Sequence, residues 1–61
     1  MLAETNSAAD LNIKGVYLLE QREFRSAFNC FDKAIDIDPT FNAAWENRNI
    51  AFRYLQGEIH K

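Results

Sequence analysis

The sequence predicts an all-α chain of three helices joined by short turns. Three observations predict it. Phe24, Ala27, Phe28, Phe31, Ala34 and Ile35 follow the i, i+3, i+4, i+7 spacing of one helical face. Strand-like alternation is missing throughout. Helix breakers are few, two Gly and one Pro, and the Pro falls where the apolar pattern stops.

Residues 1–7 read as a flexible lead-in whose last residue, Ser7, can cap a helix. Ser7 followed by Asp10 resembles a capping box with Asp in place of Glu. Leu11, Val16, Leu18 and Leu19 then give a helix over about 8–21 with a broad apolar surface. Asp10 and Lys14 are four apart with the acid nearer the amino end, a favourable order. Gln21-Arg22-Glu23 interrupts the pattern and predicts a tight turn. The second helix, about 24–37, is the cleanest, and its far side carries Arg25, Asn29, Asp32, Lys33 and Asp36. Asp38-Pro39 ends it, because the residue before Pro is driven out of the helical region. Thr40 or Asn42 is then expected to cap a third helix. There Phe41, Trp45, Phe52, Leu55 and Ile59 form one stripe with Arg48 as a gap, and Gly57 weakens the last turn.

The third helix partly repeats the first. At a shift of 34 residues Ala9 meets Ala43, Leu11 meets Trp45, Val16 meets Ile50 and Leu18 meets Phe52. Leu11, Lys14-Gly15, Leu18, Ala27, Phe31, Ala34 and Pro39 also fall at fixed slots along residues 8–41. In these slots the chain resembles the tetratricopeptide (TPR) repeat family, whose period is 34 residues. The resemblance covers one full motif, 8–41, and the first helix of a second, incomplete motif, 42–61. It implies an antiparallel helical hairpin plus a third packing or capping helix. Gly15 and Ala27 are small, so two helices can approach closely, with Phe31 and Leu18 between them. Gly15 costs about 1 kcal/mol of helix stability against Ala, which makes sense only where a neighbour packs on it. The chain departs from the family pattern at Asn49, which stands where the second motif would carry Gly. Lys14 and Arg48 replace its Leu. Arg22 occupies the place of the Gly before the helix–helix turn.

Composition excludes several function classes. Seven basic and nine acidic residues give a net charge of -2 with no basic stripe, which argues against nucleic-acid binding. The longest apolar run, Val16 to Leu19, is far short of the roughly 20 residues that span a bilayer, so no membrane is expected. The amino end lacks the pattern of a signal peptide. The chain therefore reads as cytoplasmic if it is complete, and that inference lapses if it is a fragment. One Cys forms no internal disulfide, and one His and one Cys make no four-ligand zinc site, so neither metal nor cofactor is expected. Cys30 reads as an ordinary helix thiol, His60 as a solvated terminal residue, and Asp32, Asp36 and Asp38 as a solvated face. No catalytic residue is assigned.

A protein or peptide is thus the expected partner. The TPR resemblance implies a concave face lined by the first helix of each motif: Asn12, Val16, Leu19 and Glu20, then Glu46, Asn47, Ile50, Arg53 and Tyr54. Val16 stands where the family's carboxylate clamp carries Asn, so that subtype is not implied. Two uses fit the Val16, Leu19, Ile50 and Tyr54 strip: holding an amphipathic segment, or packing on another copy. A chain of this length buries only about 60% of its unfolded surface, and arrays of this kind are stable from about three repeats upward. Phe28, Trp45, Phe52, Leu55 and Ile59 are therefore expected at a packing or oligomer interface, part of the stripe covering the second helix, with a homodimer favoured. The alternative is a peptide-binding adaptor cut from a longer scaffold.

Overall fold

A computed structural model describes residues 7–59, with side chains through residue 57. The protein folds as three helices: α1, Ala8–Glu20; α2, Phe24–Ile37; and α3, Asn42–Ile59. The described residues contain no strand. The lead-in before Ser7, the side chain of Ile59, and His60 lie outside the described residues.

Local chemistry explains the boundaries. Ser7 Oγ accepts the Asp10 backbone N–H at 3.1 Å, satisfying one of the free donors of the first turn. At the other end of α1, Arg22 N–H donates to Leu19 O at 3.0 Å and Glu23 N–H to Leu18 O at 2.9 Å. This paired closure is a Schellman motif, and it requires a left-handed residue at its bend. That residue is Arg22, at φ 63°, the position where the family pattern carries Gly. The expected caps of α3 are corrected. Thr40 turns back, donating from its N–H and hydroxyl to Asp38 Oδ1 at 3.1 and 2.7 Å, and Asn42 is already the first helical residue. Asp38 suits this turn because its short side chain folds onto the backbone two residues on.

The helices run up, down and up. Leu11 packs near Ala34 and Ile35, Gly15 against Phe31, and Leu18 near Ala27, so α1 and α2 are antiparallel. A Cβ at Gly15 would lie 2.7 Å from Phe31 Cζ, so only Gly admits the ring here. Phe31 is wholly buried, as are Ala27, Ala34, Ala44 and Ala51. α2 is the central helix, packed on both others. α1 and α3 meet along a shorter seam, where Asn47 Nδ2 donates to Asn12 Oδ1 at 3.0 Å.

The core of α3 differs from the expected stripe. Ala44 and Ala51 face α2 and α1, with Leu55 partly buried, while Trp45 and Phe52 remain 41% and 47% exposed. The reason is steric. Side chains of one methyl group let α3 settle against two helices at once, and the bulky rings are turned to its flanks. Phe41 does join the core, beside Ala34, Ile35 and Ala44.

Candidate functional site

α3 carries two exposed apolar regions, one on each side of its buried line. At 100° per residue, Ile50 and Tyr54 fall on the α1 side of the buried Ala44–Ala51 line, and Trp45, Phe52 and Leu55 on its α2 side.

On the α1 side, Leu19, Glu20, Arg22, Phe24, Ile50 and Tyr54 line an open hollow, which Arg53 extends beside Ile50 and Tyr54. The Tyr54 ring stacks on Phe24 with centroids 4.7 Å apart and planes 8° from parallel. Phe24 is buried at the start of α2, so one face of Tyr54 is fixed and the other is open to solvent. The expected concave residues divide here. Leu19, Glu20, Ile50, Arg53 and Tyr54 come together. Val16 is half-buried against the Ala27–Phe31–Ala51 cluster. Asn12 and Asn47 bond to each other and hold α1 to α3. Glu46 is exposed but lies farther round α3, away from this hollow.

On the α2 side, Phe28, Phe52 and Leu55 line a second hollow with Arg25, Asn29 and Gln56. Phe28 and Phe52 are tilted with centroids 6.2 Å apart. Arg48, the expected gap, is central to this side. Its Nε donates to Asp32 Oδ1 at 3.1 Å, and its Cζ lies 4.7 Å from the Phe28 centroid and 5.9 Å from that of Trp45. A guanidinium offers a flat face to the rings and an edge to the carboxylate, so one side chain serves both. Asp32 is therefore engaged rather than merely solvated. Trp45 Nε1 donates to Pro39 O at 2.8 Å, which fixes the indole beside the α2–α3 turn.

Spacing reasoning missed Arg48 and Asp32, whose sixteen-residue separation crosses a turn, and it missed Phe24 as the support of Tyr54. Signals for Arg48 were its place between Trp45 and Phe52 and an acid on the facing helix. Among the described residues no three His, Cys, Asp or Glu side chains gather as a metal site, and no helix is long and apolar enough to cross a membrane. Cys30 is half-buried in α2.

No family model matches the chain, and no solved structure matches it.

Proposed function

We propose that the chain is a non-enzymatic protein-interaction module built on about one and a half TPR-type motifs, and that it associates with a second copy through α3. One observation carries this reading: Trp45 and Phe52 stand about half exposed on one flank of a helix whose Ala44–Ala51 line is fully buried. Large rings held in fixed orientation outside the core supply apolar area without ordering a flexible side chain, which favours association. The motif assignment draws on the 34-residue offset and on the fit of Phe31 over Gly15.

Trp45 is the single tryptophan, so it reports on its own surroundings. Its emission is expected to shift to the blue as concentration rises from about 1 µM to about 1 mM. A constant emission maximum over that range contradicts self-association through this flank.

The adaptor reading is favoured by a separate observation, the α1-side hollow in which Leu19, Ile50 and Tyr54 lie between Arg22 and Arg53. An apolar floor with a rim of Arg22, Arg53 and Glu20 suits an extended or helical segment that carries charged residues beside its apolar ones. Ile50→Glu distinguishes the two uses. It abolishes peptide capture in that hollow and leaves association through the other flank intact.

A further inference from the structure

The face of α3 turned directly away from the core is self-complementary. Asn42, Trp45, Glu46, Asn49, Phe52, Arg53 and Gln56 all lie on it, and all are exposed. Asn42, Trp45, Asn49, Phe52 and Gln56 are spaced three, four, three and four apart, the pattern of a helix that pairs with another helix along a seam, and Glu46 and Arg53 flank that row. Asn42, Asn49 and Gln56 run down the middle of the seam. Trp45 and Phe52 form one edge, and Glu46 and Arg53 form the other.

Two copies of this face fit each other in one sense only. We propose that α3 pairs with α3 of a second copy, antiparallel, about a two-fold axis through Asn49. This rests on the self-association reading above and fixes its geometry. The axis brings Trp45 of one copy to Phe52 of the partner copy on one edge, and Glu46 to Arg53 of the partner copy on the other. Each contact occurs twice, because a two-fold interface is isologous. Asn49 meets its own equivalent on the axis, where each amide can donate to and accept from the other. A parallel pair lacks the Glu46–Arg53 match, since both residues then face the far edge of the partner helix. Among the described residues neither Glu46 nor Arg53 is in an ion pair; the one found is Arg48 with Asp32. Antiparallel helices also oppose their dipoles favourably. Among the described residues, α1 and α2 lie behind α3, on the Ala44–Ala51 side, and leave its outward face open to the approach.

Asn49 also argues against another occupant. The equivalent position in α1 is Gly15, where a Cβ would lie 2.7 Å from Phe31 Cζ. A helix with an α2-like face, docked on α3 as α2 docks on α1, would drive its Phe into the Asn49 side chain. A second α3 has no such ring at the axis.

One helix from each copy makes an interface at the small end of the specific range, so the pair is expected to dissociate between about 10 µM and about 1 mM. The test uses the full chain with substitutions at exposed positions. Glu46→Arg and Arg53→Glu each place like charges together at two sites, and each is expected to weaken association about tenfold or more. The double variant restores the pair in exchanged form and is expected to return within about twofold of the parent. In a Cys30→Ala background, Asn49→Cys should form an intermolecular disulfide on mild oxidation. At a helix spacing of about 8–10 Å the facing Cα atoms come within the bridging range of about 4.4–6.8 Å. Asn29→Cys in the same background, on α2 and off the face, should form no intermolecular disulfide although it still associates. A chain that associates yet shows neither charge-swap rescue nor an Asn49→Cys disulfide overturns the antiparallel pairing and leaves self-association standing. A chain that is monomeric up to about 1 mM overturns both.

Discussion

α1 and α3 carry the same pattern 34 residues apart and meet different fates. In α1, Leu11 and Leu18 are half-buried and Gly15 is buried, all beneath α2. In α3 the matching Trp45, Asn49 and Phe52 are exposed. The two helices run in the same direction, and Asn12 and Asn47 tie them together side by side. Their difference lies in the neighbour. α2 covers the patterned face of α1, whereas α2 reaches α3 through Ala44 and Ala51, on another side. A repeat pattern therefore specifies a face able to receive a helix, and burial follows only where a helix arrives. α3 carries large rings on such a face and, at Asn49, a side chain where α1 has Gly15.

That contrast can be broken most severely at its buried half. Phe31→Ala empties the space under Gly15 and is expected to cost about 3–5 kcal/mol, read by urea unfolding. The matched pair Gly15→Ala and Asn49→Ala sharpens it. At Gly15 the added methyl meets the Phe31 ring, and overpacking costs about 1–3 kcal/mol, offset in part by about 1 kcal/mol of helix propensity. At exposed Asn49 the same product residue is expected to raise monomer stability by a few tenths of a kcal/mol. Equal effects at the two positions would remove the distinction between the helices. Arg22→Gly relieves the left-handed backbone that closes α1 and is expected to stabilise by about 1 kcal/mol, with no change in association. Asp32→Asn is the smallest change. It loses an exposed ion pair and is expected to cost no more than about 1 kcal/mol, less in high salt.

Much of the fold was legible because its signals are local. The Ser7 cap, the Gln21–Glu23 turn and the Asp38-Pro39 break each depend on residues a few positions apart. The Gly15–Phe31 contact was legible for a different reason: a Gly inside an apolar helix calls for a close neighbour. The core face of α3 was not legible. Alanine marks burial weakly, so Trp45 and Phe52 drew the stripe toward themselves, and the true contact line of Ala44 and Ala51 passed as filler. The candidate site suffered from the same error of phase. Val16 was joined to Leu19, Ile50 and Tyr54 in one strip, although it turns inward against Ala27, Phe31 and Ala51. Arg48 was set aside as a charge in an apolar run. Its role depends on Phe28 and Asp32 of the facing helix, and only tertiary structure brings those within reach.

Sedimentation equilibrium of the parent chain beside Phe52→Glu tests most directly whether the open face of α3 receives a second copy. The parent mass is expected to climb from 7.1 kDa toward twice that value as concentration rises, while Phe52→Glu stays at 7.1 kDa. Two species fixed at 7.1 kDa, or a Phe52→Glu chain that associates as the parent does, would contradict it.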